Sequence, residues 1–316
     1  MWIRRVLVPA ALLACTATAQ PAPAQPAQRS QPAPAAQPVH AAPAAQPAPA
    51  QASTTAHQPA VTKLLVFVEE NHSLGQMQTG MPYTFGLAQR YGYATSYRAL
   101  RHPSLPNYIA IAGGAMYGIR DDHGPTVHQV TGRSVFTQAL RHHRSAATYA
   151  DGMPASCSLT DHGRYAVRHN PWTYFSRERA DCRRHDRSMA AFATDVRAGR
   201  LPRVGMVVPN LCHDAHDCSL ATADAWFESV MGRIQRGPDW KAGRLAVVLT
   251  ADEDDRTDGN RVLTTVIHPS QRRHVVTTPL THYSLTRLYD EVADLPYLHG
   301  AASAPSMAKT FRLPLQ

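Results

Sequence analysis

The clearest pattern along the chain is a short, wholly apolar run that ends abruptly in polar side chains. Residues 64–68 read Leu-Leu-Val-Phe-Val, without polar alternation, and Glu69, Glu70, Asn71 and His72 follow directly. Continuous runs of β-branched and aromatic residues are typical of strands that are buried on both faces of a parallel sheet. The run therefore predicts a central strand of an α/β fold.

The same pattern recurs twice further along, at residues 207–210 and 245–250. The polar groups that follow are His213, Asp214, His216 and Asp217 in the first case, and Asp252, Glu253, Asp254 and Asp255 in the second. Ligands of open α/β sheets bind outside the carboxyl ends of the strands. The three groups are therefore expected to meet at one edge of the sheet, where they predict a metal or catalytic site. For residues 252–255, a solvated acidic turn stays open as the alternative.

Strand and helix patterns alternate over the rest of the chain. Strands are predicted near residues 62–69, 93–98, 146–150, 203–208, 244–250 and 261–267. Helices are predicted near residues 82–91, 104–112, 133–143 and 187–198. Two more are predicted, one that begins after an N-cap at Ser219 and one that carries the apolar stripe Leu285, Leu288, Tyr289 and Val292. Residues 151–185 are predicted to be irregular. This alternation predicts a mainly parallel sheet with helices on both faces.

The first sixty residues are predicted to lie outside the fold. Residues 1–19 combine basic residues, a short apolar segment and an Ala-Thr-Ala cleavage site, as in a secretory signal peptide, with lipoprotein processing at Cys15 as the competing interpretation. Residues 20–60 are almost entirely Pro, Ala and Gln, which predicts a disordered tether that spans an envelope layer or is merely a spacer. Residues 61–316 suit one large catalytic domain, without a transmembrane segment. We expect a secreted or envelope-associated protein.

Charge and cysteine content limit which binding partners and which cellular compartment are expected. The formal net charge is +9, but no basic run is interleaved with aromatic residues, so we do not expect nucleic acid as a partner. The positive field favours anionic substrates or surfaces, and generic solubility charge is the alternative interpretation. Cys157, Cys182, Cys212 and Cys218 remain after signal cleavage, and an even number in a secreted chain indicates two disulfides. Three pairings are open, and proximity along the chain favours Cys212–Cys218 and Cys157–Cys182.

Ser104 is the candidate nucleophile, because it lies between two prolines where a predicted loop becomes a helix. Serine is also a favoured N-cap, so capping is its alternative role. The chain has no Gly-x-Ser-x-Gly elbow, no phosphate-binding Gly-rich loop and no His-Glu-x-x-His motif. A serine hydroxyl nevertheless needs activation. We expect a divalent metal ion to provide it, either a hard cation or zinc, held by Glu70, Asn71, Asp252 and Glu253.

An ordered set of motifs resembles a known family. In chain order the motifs are Glu70-Asn71-His72-Ser73, His102-Pro103-Ser104-Leu105-Pro106-Asn107-Tyr108, His169-Asn170-Pro171-Trp172, Pro209-Asn210 with His216-Asp217, Asp252-Glu253-Asp254-Asp255 and His282-Tyr283. They resemble the bacterial phosphoesterase family of secreted acid phosphatases and phospholipases C, in the alkaline-phosphatase-like superfamily. The similarity is greatest to secreted acid phosphatases, some of which act on phosphatidylinositol 3-phosphate, and it covers roughly residues 62–296.

The resemblance implies an α/β fold, an alkaline-phosphatase-like three-layer sandwich with a mainly parallel central sheet, and a phosphoryl-serine intermediate. Ser104 would be both nucleophile and metal ligand, and the other metal ligands would be Glu70, Asn71, Asp252 and Glu253. Residues that would contact phosphate or protonate the leaving group are His102, His169, His216 and His282. One departure is visible, since the family's Thr-Trp-Asp-Glu reads Thr-Ala-Asp-Glu at residues 250–253. The lost indole leaves pocket shape, and so substrate preference, open.

Three functions follow from these observations. The first is a secreted acid phosphatase that hydrolyses phosphomonoesters, with phosphoinositides or other lipid phosphates among the candidate substrates. The second is a phospholipase C-type phosphodiesterase, which is disfavoured because such relatives usually carry extra C-terminal domains and this chain stops at residue 316. The third is a non-catalytic envelope-binding protein, which the apparently complete set of ligands argues against. The substrate, the metal and the oligomeric state stay open.

Overall fold

The computed structural model describes residues 59–316. The predicted signal peptide lies outside these residues, and so does the predicted tether except for its last two residues. Both stay predictions, together with the domain boundaries drawn from them. Among residues 59–316, no helix is both long and apolar enough to cross a membrane.

A central sheet organises the fold. The strands are β1 (Lys63–Glu69), β2 (Gly92–Ala94), β3 (Tyr97–Arg98), β4 (Ala146–Ala150), β5 (Asp186–Ser188), β6 (Val204–Val208), β7 (Leu245–Ala251), β8 (Thr264–Ile267), β9 (His274–Val276) and β10 (Leu280–Thr281). Eight of them form the sheet in the order β5-β4-β6-β1-β7-β8-β2-β9, and β3 pairs with β10 separately. The strands from β5 to β7 are parallel, whereas β8 is antiparallel to both neighbours. The predicted mainly parallel sheet is therefore confirmed.

Helices cover both faces of this sheet. They are α1 (Leu74–Gly80), α2 (Pro82–Arg90), α3 (Ser104–Gly113), α4 (Val135–Arg141), α5 (Arg179–His185), α6 (Met189–Ala198), α7 (Leu220–Arg236), α8 (Pro238–Lys241), α9 (His282–Ala293) and α10 (Met307–Thr310). Helices α3, α4 and α9 pack on one another and on one face, and α2, α6, α7 and α8 form the second layer. The result is the predicted three-layer α/β sandwich.

Local sequence accounts for where several helices begin and end. The side chains of Ser73, Ser134, Ser188 and Ser219 each accept a hydrogen bond from the backbone N–H three residues on, which caps α1, α4, α6 and α7. The predicted Ser219 cap is thus confirmed. Helix α3 ends at Gly114, whose φ of 68° is left-handed. A side chain there would also press against the Leu298 carbonyl, so both backbone angle and packing require glycine.

The core lies against the strands that read as apolar runs. Every residue of β4, β6 and β7 is buried. On one face, the Phe67 ring packs edge-to-face on Phe227 of α7, with centroids 5.1 Å apart. On the other face, Tyr289 of α9 donates its hydroxyl to the Gly205 carbonyl. The unbroken hydrophobicity of these strands therefore reflects their burial on both faces of the sheet.

Two local predictions were wrong. Residues 151–185 are not wholly irregular, because they contain α5 and the 3₁₀ turns Val167–His169, Pro171–Tyr174 and Ser176–Glu178. Such short turns have no apolar stripe from which the sequence could predict them. The buried side chains of Trp172 and Cys182 anchor this segment to the fold. The strand near 93–98 is split into β2 and β3, which pair with different partners.

The favoured disulfide pairing is confirmed. Cys157 is bonded to Cys182, and Cys212 is bonded to Cys218. The first bridge fastens the long excursion between β4 and β5. The second closes a short loop directly after β6. That loop carries the polar residues predicted at the end of this strand.

Candidate active site

The carboxyl ends of β1, β6 and β7 meet at one edge of the sheet. Glu69 is in register with Ala251 at the ends of β1 and β7. The Glu70 N–H donates to the Asp214 carbonyl at 2.8 Å, and the Asp252 N–H donates to the Glu69 carbonyl at 3.0 Å. The backbone itself therefore brings the polar residues after all three strands together.

Ser104 faces this edge, and its side chain does not cap a helix. It is the first residue of α3, the N-cap is Pro103, and no side-chain capping bond is present there. Its Oγ instead donates to Glu70 Oε2 at 2.9 Å in a buried contact. The Leu105 N–H donates to Asp122 Oδ1, and Pro106 has no N–H. The start of α3 thus leaves few backbone donors free for an anion.

Glu70 is the hub of the site. Besides Ser104, Glu70 Oε1 accepts a 2.5 Å hydrogen bond from the Tyr108 hydroxyl and lies 3.3 Å from His169 Nε2. The side chain is fully buried. Burial, followed by the negative charges of Asp252 and Asp214, raises the pKa of Glu70 well above its usual value.

His169 is held between Glu70 and a second buried acid. Its Nδ1 lies 3.0 Å from Asp214 Oδ2, and its ring stacks on Tyr108 at a centroid separation of 5.1 Å. Only 1% of His169 is exposed, and burial lowers its pKa well below the usual value. Burial also raises the pKa of Asp214 to about 7. The imidazole is therefore neutral and fixed in orientation by two neighbours.

Asn71, Asp252 and Glu253 complete the oxygen-rich part of the site. The Asn71 N–H donates to Asp252 Oδ1 at 3.3 Å, and Glu253 Oε2 accepts from the Asn107 amide at 3.4 Å. Burial and the charge of Glu253 raise the pKa of Asp252 well above its usual value. Burial and the charge of Asp122 raise the pKa of Glu253 to about 8.

These residues fit a divalent cation. Asn71 Oδ1 and Asp252 Oδ2 are buried and have no hydrogen-bond partner among the described residues. Buried polar groups are nearly always paired, so orphaned oxygens indicate a missing partner. Several buried carboxylates also raise one another's pKa, and a bound cation would remove that repulsion. The candidate ligands include both the predicted set and a second buried group, Glu70, His169 and Asp214, whose ligand atoms lie within 4.8 Å of one another.

Two of the four predicted histidines are accessible. His102 lies between two acids, with Nδ1 3.1 Å from Glu253 Oε1 and Nε2 3.2 Å from Asp254 Oδ1. Burial lowers its pKa. His216 is 31% exposed at the side chain and is paired with Asp217. Its Nε2 lies 3.0 Å from the guanidinium of Arg168. His216 is open to a ligand at the rim of the site, whereas both nitrogens of His102 face acids.

The other two predicted histidines, His169 and His282, are enclosed by the fold. His282 is fully buried, with Nε2 2.6 Å from the Asp252 carbonyl and Nδ1 3.0 Å from the Tyr97 hydroxyl. Burial lowers its pKa to about 4. His169 is also enclosed, with Nδ1 bonded to Asp214 and Nε2 3.3 Å from Glu70 but without a hydrogen-bond partner among the described residues. Both nitrogens of His282 are therefore occupied, whereas Nε2 of His169 stays open to a ligand beside Glu70.

The sequence prediction missed residues that hold the site together. Tyr108 bonds Glu70, and Asp214 bonds His169. Asn107 bonds Glu253, and Asp122 accepts the Leu105 N–H. A signal existed for Tyr108, which lies four residues after Ser104 and so on the same face of a helix. Asp214 lies within the polar group after β6, but nothing in the sequence separates it there from Asp217.

Comparison with known proteins places these observations in a family. A profile described as the phosphoesterase family matches residues 66–296. The phosphatidylinositol-3-phosphatase of Mycobacterium tuberculosis is 27% identical over 251 residues, which cover 78% of this chain and 82% of that protein. The phosphate-repressible acid phosphatase of Penicillium chrysogenum is 28% identical over 219 residues, covering 65% of this chain and 52% of that protein. The chain thus spans about half the length of the fungal relative.

Solved structures are similar in fold. A protein of the alkaline phosphatase superfamily from Vibrio parahaemolyticus has a TM-score of 0.53 at 10% identity, over 80% of this chain and 72% of that chain. Murine ectonucleotide pyrophosphatase/phosphodiesterase 5, solved with AMP, has a TM-score of 0.50 at 10% identity, over 81% of this chain and 100% of that chain. At such identities the likeness concerns the fold alone. It confirms the predicted alkaline-phosphatase-like architecture.

Proposed function

The chain belongs to the phosphoesterase family and is a phosphoric ester hydrolase, and from that premise we propose that it is an acid phosphatase that uses Ser104 as its nucleophile. One observation carries this assignment. Ser104, on the first turn of α3, is buried and donates its hydroxyl to Glu70 rather than capping the helix. A hydroxyl that donates to a buried carboxylate just beyond the end of a strand is positioned to act as a nucleophile.

The proposed reaction has two steps. Ser104 Oγ attacks phosphorus, the bond from phosphorus to the ester oxygen breaks, and the leaving alcohol takes a proton. Water then attacks the phosphoryl-serine, and Ser104 Oγ leaves and regains a proton. Before the first step Glu70 Oε2 accepts the serine hydroxyl and so orients Oγ, which gives up this proton as it attacks. A divalent cation bound by Glu70, Asn71, Ser104, Asp252 and Glu253 would supply positive charge that favours the ionised serine.

His102 and His216 are the proposed contacts for phosphate and leaving group. At the side chain, His216 is 31% exposed and His102 is 18% exposed. Arg168, 3.0 Å from His216 Nε2, adds a guanidinium suited to phosphate oxygens. An imidazole that donates the leaving-group proton must itself be protonated before the bond breaks, which is the proposed reason for activity at mildly acidic pH.

His169 and His282 are proposed as positioning residues. His169 is fixed by Asp214 and stacks on Tyr108, so it holds the Glu70 carboxylate in one orientation. His282 contacts the Asp252 carbonyl and so supports the turn after β7. Loss of either imidazole would loosen an acid of the site.

A chromogenic phosphomonoester and a matched phosphodiester, each assayed with and without chelator, test the function. We expect monoester hydrolysis that is lost with chelator and restored by divalent metal. Preference for the diester, or for phosphatidylcholine over soluble monoesters, would support the phospholipase C alternative. A purified, folded protein that hydrolyses neither ester after metal reconstitution would favour the non-catalytic envelope-binding protein.

The substrate and the cellular location are proposed from the similarity to the relatives and from the disulfides. The mycobacterial relative is named for phosphatidylinositol 3-phosphate, so we include lipid phosphomonoesters among the candidate substrates. The disulfides Cys157–Cys182 and Cys212–Cys218 suit an oxidising compartment and support secretion. Anchoring through Cys15 remains the alternative to free secretion, and mass spectrometry of the mature N-terminus distinguishes them.

A further inference from the structure

A second group of ligand-type side chains lies outside the proposed active site, in the connection between α3 and α4. Asp121 Oδ1 lies 2.7 Å from His123 Nδ1 and 2.5 Å from His128 Nε2. The same oxygen accepts the His123 backbone N–H at 3.0 Å. The two imidazole rings meet edge-on, with centroids 6.0 Å apart. Three nitrogens therefore converge on one carboxylate oxygen.

This convergence is more than hydrogen bonding requires. A single exposed carboxylate oxygen is satisfied by one or two donors, and water is available to both imidazoles. One ligand atom from each of the three side chains lies within 4.8 Å of the others. Ligand atoms of a tetrahedral zinc site with bonds of about 2.0–2.1 Å are about 3.3 Å apart. The two pairs that Asp121 Oδ1 forms with histidine nitrogens, at 2.7 and 2.5 Å, need to separate by less than about 1 Å to admit an ion, which the exposed side chains of Asp121 and His123 allow.

The backbone that carries these residues is fixed at several points. The Val130 N–H donates to the Tyr174 carbonyl, and the Ser176 N–H donates to the Val130 carbonyl, each at 2.9 Å. Asp122, next to Asp121, accepts the Leu105 N–H at 2.9 Å. Because the loop is held by the fold, binding an ion would order side chains only, and little conformational entropy would be lost.

We propose that Asp121, His123 and His128 form a binding site for a divalent transition metal ion of the zinc class, with an open position for water. Two imidazoles and one carboxylate are ligands that zinc prefers, whereas Mg²⁺ and Ca²⁺ favour oxygen ligands.

The site differs from the proposed catalytic one in residues and in chemistry. The catalytic ligands after β1 and β7 are oxygen-rich, whereas this group is dominated by imidazole. The two sites are linked through one contact, since Asp122 bonds the N–H that follows Ser104. An ion on Asp121 would therefore stiffen the loop beside the nucleophile.

Zinc stoichiometry tests the proposal. Metal-free full-length protein is dialysed against zinc, and bound metal is measured by atomic emission. We expect wild type to bind one equivalent more than His123→Gln or His128→Gln. His142→Gln, which alters an exposed histidine after α4, serves as the matched control and should bind as wild type. Circular dichroism verifies that each variant is folded.

A Glu70→Gln variant separates this site from the catalytic one. This variant should keep the one equivalent of zinc that depends on His128. Cobalt(II) bound to it should show visible absorption, which should disappear when His128→Gln is introduced as a second substitution. Equal zinc binding by wild type, His123→Gln and His128→Gln would overturn the proposal, and so would loss of all zinc in Glu70→Gln alone. Neither readout depends on hydrolysis, so failure of the proposed function would be seen separately.

Discussion

At the scale of single residues, the environment of Ser104 distinguishes chemistry from capping. The side chains of Ser188 and Ser104 both lie at helix starts, but only Ser188 accepts a backbone N–H three residues on. Ser104 donates to Glu70 instead, across 34 positions of sequence. A hydroxyl that does not stabilise its own helix, and that is buried against an acid, is the kind expected of a nucleophile.

Ser104→Ala should abolish hydrolysis while the fold persists. We expect the turnover rate to fall by about 10³-fold or more, because the attacking atom is removed. The free energy of unfolding should change by no more than about 1–3 kcal/mol, the cost of leaving one buried acceptor unpaired. Ser188→Ala is the control, which should lose about 1 kcal/mol of stability through its cap and keep activity. A phosphoryl group trapped elsewhere would exclude Ser104.

Glu70→Gln and Asp252→Asn should each weaken metal binding and reduce hydrolysis by about 10²-fold or more, the scale of losing one preorganised electrostatic group. The reason is that both buried carboxylates are proposed to face the same cation. Asp255→Asn is a matched control, because Asp255 bonds Gln76 and Thr257 instead. Elemental analysis of the purified variants gives the test. Wild-type metal content and rate in both would remove these acids from the site.

At the scale of elements, the two disulfides serve different parts of the molecule. Cys157–Cys182 spans 25 positions and ties down the excursion that carries His169. Cys212–Cys218 spans 6 positions and closes the loop that carries Asp214 and His216. Loop-closure entropy therefore predicts a larger contribution to stability from the first, about 3.5 kcal/mol against about 2 kcal/mol.

The Cys212→Ser/Cys218→Ser variant should lose activity with only a modest fall in stability. The short loop would loosen Asp214 and His216, whereas β6 itself would remain packed. The Cys157→Ser/Cys182→Ser variant is the comparison, and it should show the larger fall in the free energy of unfolding. Chemical denaturation and monoester hydrolysis are measured on both. Full activity of the first variant would show that the loop keeps its shape without the bridge.

At the scale of the whole molecule, buried carboxyl groups remote from the site make stability depend on pH. Asp290 in α9 is buried and accepts hydrogen bonds from Gln138 and from the Leu298 N–H. Burial raises its pKa from the usual 3.8 to about 7. The folded state therefore holds a proton that the unfolded state releases between about pH 4 and pH 7. Stability from this group is full below that window and is lost as pH rises through it.

Asp290→Asn should remove this dependence. The amide keeps an oxygen acceptor but does not ionise, so the variant should lose less stability than wild type between pH 4 and pH 7. One pKa unit corresponds to about 1.4 kcal/mol. Asp294→Asn, at the residue that follows the same helix, is the control, because its carboxylate is 91% exposed. Unfolding free energies measured across this pH range give the answer, and parallel curves for wild type and Asp290→Asn would contradict it.

The sequence by itself determined the strands, most helices, the edge of the sheet that carries the site and the candidate nucleophile. These features follow from local periodicity and from what directly follows each apolar run, and both are readable along the chain. The Asn71, Asp252 and Glu253 group was found in this way. So was the disulfide pairing, because loop closure favours cysteines close in sequence.

Only the tertiary structure decided which polar residues touch and which are enclosed. Asp214 orients His169 across 45 positions of sequence, and His282 reaches the Asp252 carbonyl across 30. The burial that makes these imidazoles neutral comes from helices and turns packed around them, and no local pattern encodes it. The same holds for Ser104, whose capping and catalytic alternatives look identical along the chain. A side chain's partner and its pKa depend on atoms brought together by folding, so the sequence named the groups and packing decided which of them touch.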